Sequence, residues 1–196
     1  MTAPPASDFV AALRALRDAL DELSVPWMFI GGVAIIAQGV ARLTADIDAT
    51  LRASGVEPEP VLDVMAAHRI VPRIERAAEF ARQRQVLLLR HEPSRIPVDV
   101  SFAWLPFEEE ALRAAEERDY AGVRVRVARA EDLVVYKLVA SRPRDLDDAE
   151  KLLLLHGSGL DVERVRRVVR DFATILEDAE RPKALERLLD LAGLKG

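Results

Sequence analysis

The sequence predicts an α+β fold, a mixed β-sheet flanked by helices and followed by a helical C-terminal subdomain. Three observations predict it. Short apolar or alternating runs, which mark strands, are confined to the chain before Ala130 and are separated there by helical stretches of unequal length. From Ala130 onward the apolar spacing is helical throughout. Between them, Met28 to Leu51 reads MFIGGVAIIAQGVARLTADIDATL: strand, glycine bend, short helix and strand in close succession. The expected division is a sheet-bearing core over 1–129 and a helical subdomain over 130–196, packed on that core.

Taken in order, Ser7 is placed to cap a covering helix whose apolar residues Phe9, Leu13, Leu16, Leu20 and Leu23 fall on one stripe. Pro26 ends it, and Trp27 to Ile30 is the first buried strand. Gly32 to Val40 is a short helix stopped by Gly39, and Asp46 to Leu51 is the next strand. A loop over 54–60 leads into a helix from Val61 to His68. Ile70 to Ile74 is a short strand that Pro72 confines to an edge. Arg76 to Gln85 has no clear period. Val86 to Arg90 and Ile96 to Ala103, joined by a turn at Pro93-Ser94, form a hairpin. In the second of these strands Val98, Val100 and Phe102 share one face, which leaves Asp99 on the wet one. Phe107 to Arg118 reads as a charged helix, and Gly122 to Val127 as a strand with valines inside and Arg124 and Arg126 outside. Helices over Glu131–Ser141, Leu146–His156, Asp161–Glu177 and Lys183–Ala192 complete the chain.

The 196 residues are half hydrophobic, enough for one sizeable core with a helical extension. No apolar run is long enough to span a bilayer, and MTAPPASDFV has neither a basic start nor an apolar signal core, so the expectation is a soluble, cytoplasmic protein without a membrane partner. The absence of cysteine removes disulfides, thiolate metal sites and cysteine nucleophiles together. A formal net charge of -5 argues against a general nucleic-acid coat, while leaving room for a local basic groove among Arg69 to Arg95, Arg124 and Arg126. His68, His91 and His156 show no ligand spacing and read as surface or helix-end residues.

The chemistry concentrates in the aspartates. In an extended strand Asp46 and Asp48 project from one face while Ile47 enters the core. Two carboxylates held side by side repel unless a cation lies between them, and hard oxygen donors suit Mg²⁺, with Mn²⁺ as the alternative ion. Gly31 and Gly32, without β-carbons, let backbone N–H groups approach a phosphate. Lys137 lies among Leu133, Val134, Tyr136, Leu138 and Val139, where a cation needs a carboxylate or phosphate partner. Asp145 is well placed to cap the helix that follows it. Trp104 is either a core aromatic, the commoner outcome, or a surface for stacking a base.

Ile30-Gly31-Gly32, then Asp46-Ile47-Asp48-Ala49, then Val98-Asp99-Val100 resembles the nucleotidyltransferase superfamily, whose fold is that of DNA polymerase beta. Arg42 and Thr44 ahead of Asp46, with EDLVVYKLVASRPRDLDDAE downstream, are most similar to the AbiEii/AbiGii-type nucleotidyltransferases, a group that includes toxins of toxin-antitoxin systems. The resemblance runs from Trp27 to Leu155. It implies a nucleotidyltransferase catalytic core in which Asp46, Asp48 and Asp99 are catalytic and bind two Mg²⁺ ions. It implies nucleotide binding by Gly31, Gly32, Arg42, Thr44 and Lys137, with Asp145 in support. Many relatives have Ser where Gly32 stands, so here only the N–H remains for a phosphate. The implied reaction moves a nucleoside monophosphate from an NTP to an acceptor hydroxyl. The implied acceptor is a tRNA 3′ end and the implied partner a cognate antitoxin. Transfer to a protein or to an aminoglycoside-like small molecule, or a non-catalytic binding module of the same fold, are the competing readings.

Overall fold

The computed structural model describes residues 6–194. They form two compact units, one made of residues 6–37 and 42–128, the other of residues 38–41 and 129–194.

The first unit holds β1 (Trp27–Ile30), β2 (Ile47–Arg52), β3 (Ile70–Pro72), β4 (Val86–His91), β5 (Pro97–Ala103), β6 (Glu116–Tyr120) and β7 (Val123–Val127) in one seven-stranded sheet of order β3-β4-β5-β2-β1-β7-β6. The sheet is mixed. β2 runs parallel to β5 and β1 parallel to β7, while the β1–β2, β3–β4, β4–β5 and β6–β7 pairs are antiparallel. The parallel β2–β5 pair needs a long crossover, and the segment between them supplies it with α3 (Pro58–Ala67), α4 (Ala77–Arg84) and the two strands on the far side of β5. Phe29, Ile47, Leu51, Leu87, Leu89, Val98 and Val100 are fully buried. Each contributes about 1.5–3 kcal/mol relative to an exposed side chain.

Helix α1 (Ala6–Glu22) buries Phe9, Leu13, Leu16 and Leu20 as its stripe requires, but Ser7 lies inside the helix and does not cap it. The stretch without a clear period is helix α4, set off at each end by a left-handed residue, Arg76 and Gln85. The charged helix α5 (Pro106–Ala114) is shorter than its pattern suggests, because Glu116–Tyr120 leaves it to become β6. EERDY carries no apolar alternation. It is strand because the tight turn at Ala121-Gly122, both at positive φ, folds it back antiparallel onto β7, and its charged side chains suit an edge position. His91, expected at the surface, is buried in β4 with Nδ1 2.8 Å from Ser94 Oγ.

The second unit consists of α6 (Ala130–Ala140), α7 (Pro143–His156), α8 (Val162–Ile175) and α9 (Glu180–Leu191), with a short 3₁₀ turn at Gly157–Gly159. Leu133, Val134, Leu152, Leu153, Val165, Val169, Leu185 and Leu189 build its core. Buried Asp132 accepts hydrogen bonds from Arg164 Nη1 at 2.6 Å and Arg129 Nε at 3.1 Å, so its charge is compensated on both oxygens. Among the described residues no helix is long and apolar enough to cross a membrane.

Candidate active site

The acidic site follows from strand register. Ile30 pairs with Asp48, Asp48 with Asp99 and Asp99 with Leu88, so these residues form one row across β1, β2, β5 and β4. Residues paired across a sheet point to the same face, which sets the Asp48 and Asp99 side chains next to each other on central strands. Their flanks are apolar and buried: Ile47 and Ala49 on β2, Val98 and Val100 on β5. Asp46 comes one residue before β2, in a bend, so its direction is set by that bend and not by strand alternation. It stays within electrostatic reach of Asp99.

Beside this row the chain leaves β1 and enters α2 (Gly31–Ala37). Gly31 has φ +59, and a β-carbon built there would stand 2.0 Å from Asp48 Oδ2. The Asp48 carboxylate therefore lies directly over the bare backbone of Gly31. Gly32 has a different neighbour. A β-carbon on it would stand 2.2 Å from Thr44 Oγ1, and Thr44 Oγ1 in turn donates to Asp46 Oδ1 at 2.9 Å. The hydroxyl of Thr44 thus fills the space that a side chain at position 32 would occupy. Arg42 lies on the same approach and donates from Nε to the Leu43 carbonyl at 3.2 Å. A hollow of about 370 Å³ lined by Phe9, Ile36, Arg42, Leu43, Thr44 and Tyr120 opens next to it.

Asp99 has a partner that the sequence did not reveal. The guanidinium of Arg73 donates to Asp99 Oδ1, and both side chains are about one-third exposed. Burial pushes the Asp99 carboxyl up, and the nearby charge of Asp46 adds to this, while the hydrogen bond and charge of Arg73 pull it down without cancelling the rise. The signal for Arg73 was absent from the local sequence, since it depends on how β3 aligns with β4 and β4 with β5.

Lys137 and Asp145 are brought together in the second unit. Lys137 Nζ lies 2.9 Å from Asp145 Oδ1 and 2.9 Å from Asp148 Oδ2, and all three residues are buried. The cation expected to need a partner has two, both from the RDLDD stretch. Asp145 does not precede α7 but stands inside its first turn, the helix starting at Pro143, and accepts from the backbone N–H of the N-cap residue Arg142 at 3.3 Å and from Arg142 Nε at 2.5 Å. Burial would raise the Asp145 carboxyl, but the hydrogen bonds from Arg142 and Lys137, with their charges, outweigh it and leave it below the usual range.

Trp104 is 63% exposed, so it is not the core aromatic the sequence suggested. It follows the last residue of β5, five residues along the chain from Asp99. The arginines considered as a groove are largely paired: Arg82 with Glu59, Arg76 with Glu79, Arg69 with Glu92 and Arg124 with Glu117.

The donor set fits hard divalent cations: carboxylates from two neighbouring strands and a third from the preceding bend, above a glycine whose β-carbon would fill the cradle. As the side chains stand, no three His, Cys, Asp or Glu among the described residues are gathered closely enough to hold a metal ion. Asp46 is engaged by Thr44 and Asp99 by Arg73.

A mixed sheet with paired aspartates on central parallel strands, facing a glycine bend at a helix start, is the arrangement of a nucleotidyltransferase. A family model described as "Nucleotidyl transferase AbiEii toxin, Type IV TA system" matches residues 14–192. The chain belongs to this AbiEii nucleotidyltransferase family, and by that membership it is an enzyme of the transferase class. Among solved structures it is similar to the antibiotic-resistance factor ANT(2'')-Ia, at a TM-score of 0.60 and 20% identity over 87% of this chain and 96% of that one. A second structure of that factor, in complex with adenylyl-2''-tobramycin, matches at a TM-score of 0.58 and 18% identity over 88% of this chain and 99% of that one. JHP933 from Helicobacter pylori is similar at a TM-score of 0.53 and 15% identity over 98% of this chain and 93% of that one. No curated protein sequence matches the chain.

Proposed function

We propose that this protein is a Mg²⁺-dependent nucleotidyltransferase that moves a nucleoside monophosphate from an NTP to the 3′-terminal hydroxyl of a tRNA, acting in the cytoplasm as a toxin held in check by a cognate antitoxin. The observation that carries the catalytic part is the register pairing of Asp48 with Asp99 above the bare backbone of Gly31. The toxin role and the antitoxin are supported by the family to which the chain belongs, and the tRNA acceptor rests on the resemblance of its motifs to AbiEii/AbiGii-type nucleotidyltransferases.

In this reading Asp46, Asp48 and Asp99 would hold two Mg²⁺ ions, which would supply neutralisation of charge on the triphosphate and a lower pKa for the acceptor hydroxyl. The rest falls to the chain. Thr44 holds the Asp46 carboxylate through its hydroxyl. Gly31 and Gly32 are assigned to phosphate through their N–H groups, their missing β-carbons admitting Asp48 and Thr44, and Arg42 is assigned to phosphate on the approach. Lys137, which the resemblance assigns to the triphosphate, is held by Asp145 and Asp148 within the second unit. Asp99 accepts the proton of the attacking hydroxyl at a carboxylate oxygen. The acceptor oxygen bonds to the α-phosphorus, the bond from that phosphorus to the bridging oxygen breaks, and pyrophosphate leaves with the electron pair.

The test is incubation of purified protein with labelled NTPs, Mg²⁺ and tRNA, alongside sequencing of RNA 3′ ends after expression in cells, comparing wild type with Asp46→Ala and Asp48→Ala. Nucleotide addition to tRNA by the wild type alone is the expected result. Labelling of an aminoglycoside or a protein instead would overturn the acceptor, and no transfer to anything would overturn the reaction.

A further inference from the structure

Arg73 stands one residue past β3, and its backbone N–H donates to the Leu88 carbonyl at 3.0 Å, which extends the β3–β4 register by one step. Leu88 is the register partner of Asp99. Arg73, Leu88, Asp99 and Asp48 therefore lie in one row on one face of the sheet, with Arg73 two strands from Asp99. Two inter-strand steps are about 10 Å, a distance that an arginine side chain bridges over an intervening leucine to reach a carboxylate. Its guanidinium rests on Asp99 Oδ1.

Charge explains why a cation belongs there. Asp99 is paired in register with Asp48 and feels the charge of Asp46, so like charges meet at its carboxylate. Threonine relieves Asp46 only by a neutral hydroxyl. Arg73 is the basic group on Asp99, and a guanidinium on a carboxylate competes directly with any divalent ion for the same lone pairs.

Resting on the reading of Asp99 as a metal ligand, we infer that Arg73 is the resident counter-ion of the acidic site, neutralising Asp99 until a divalent cation displaces it. Free divalent ions consequently bind weakly, and the exchange of guanidinium for metal is a step in assembling the active site. The swap conserves the charge logic: Asp99 passes from one cationic partner to another, and the freed guanidinium swings toward solvent, to which it is already partly open.

The experiment is titration of the full chain with Mn²⁺ in the absence of nucleotide, followed by the loss of the free-ion paramagnetic resonance signal, for wild type, Arg73→Gln, Arg73→Lys, Asp48→Ala, Asp99→Asn and the Arg73→Gln/Asp99→Asn double variant. Arg73→Gln is expected to bind Mn²⁺ about fivefold more tightly, the scale set by removing a partly exposed ion pair that competes with the metal. Arg73→Lys is expected to stay near wild type because it keeps a cation on Asp99. In the Asp99→Asn background, Arg73→Gln is expected to change nothing. Equal or weaker Mn²⁺ binding by Arg73→Gln, with binding still lost in Asp48→Ala, would overturn the counter-ion role and leave the acidic site standing. Absence of Mn²⁺ binding in every variant, with NTP present as well, would overturn both.

Discussion

The Asp48 carboxylate lies against Gly31 so closely that a β-carbon on Gly31 would stand 2.0 Å from Oδ2. Glycine at 31 is therefore required twice, by its φ of +59 and by the volume of the carboxylate. Gly31→Ala is expected to destabilise the fold by about 1–2 kcal/mol from the backbone alone. Displacing Asp48 by even an ångström is expected to lower nucleotidyl transfer by about 100-fold. Thermal unfolding and a transfer assay check the two effects separately.

Gly32 and Thr44 form a second close pair, and the outcome of substitution there depends on which effect is larger. Alanine in place of a helical glycine ordinarily stabilises by about 0.5–1 kcal/mol. Here its β-carbon would stand 2.2 Å from Thr44 Oγ1 and 2.7 Å from Thr44 Cβ, an overlap that costs about 1–3 kcal/mol. Gly32→Ala is thus expected to destabilise. Combined with Thr44→Gly it is expected to recover part of the loss, with a coupling of about 1 kcal/mol in a double-mutant cycle.

Lys137 is locked between Asp145 and Asp148, and its truncation would leave two buried carboxylates with one cation fewer. Lys137→Ala is expected to cost about 3 kcal/mol in denaturant unfolding. Lys137→Met with Asp145→Asn and Asp148→Asn, which removes all three charges, is expected to be more stable than Lys137→Ala. If the single variant proves as stable as wild type, the buried network contributes nothing to the fold.

His91 introduces a pH dependence. Burial first, and then the charge of Arg69, lower its pKa from 6.5, with Asp8 acting weakly in the opposite sense. The folded protein binds this proton less readily than the unfolded chain, so the contribution of His91 is intact above pH 6.5 and is lost as pH falls through that value toward the folded pKa. Wild type is expected to lose more thermal stability than His91→Asn between pH 7.5 and 5.5, about the range over which an ordinary histidine titrates.

Much of this architecture was legible from residue order. The alternation in PVDVSFA placed Asp99 on the outward face of β5, and the buried run WMFI followed by two glycines located β1 and the bend. EERDY was not legible, because its strand character comes from β7 and not from its own side chains. The burial of His91 was missed for a related reason: it is the last residue of a strand whose inward positions are otherwise leucine. Asp46 was expected on β2 and stands before it, so its partnership with Thr44 replaces strand alternation as the reason it points where it does.

By itself the sequence determined which groups the chain offers: three aspartates in apolar frames, a glycine pair and no cysteine. Such local information is sufficient because strand alternation and turn preference act over a few residues. Only the tertiary structure decided that Asp99 stands beside Asp48, that Arg73 reaches Asp99 over Leu88, and that Lys137 is shared by two aspartates. Each of these contacts joins separate elements of the fold, through strand register or helix packing, and no local pattern encodes the pairing between elements.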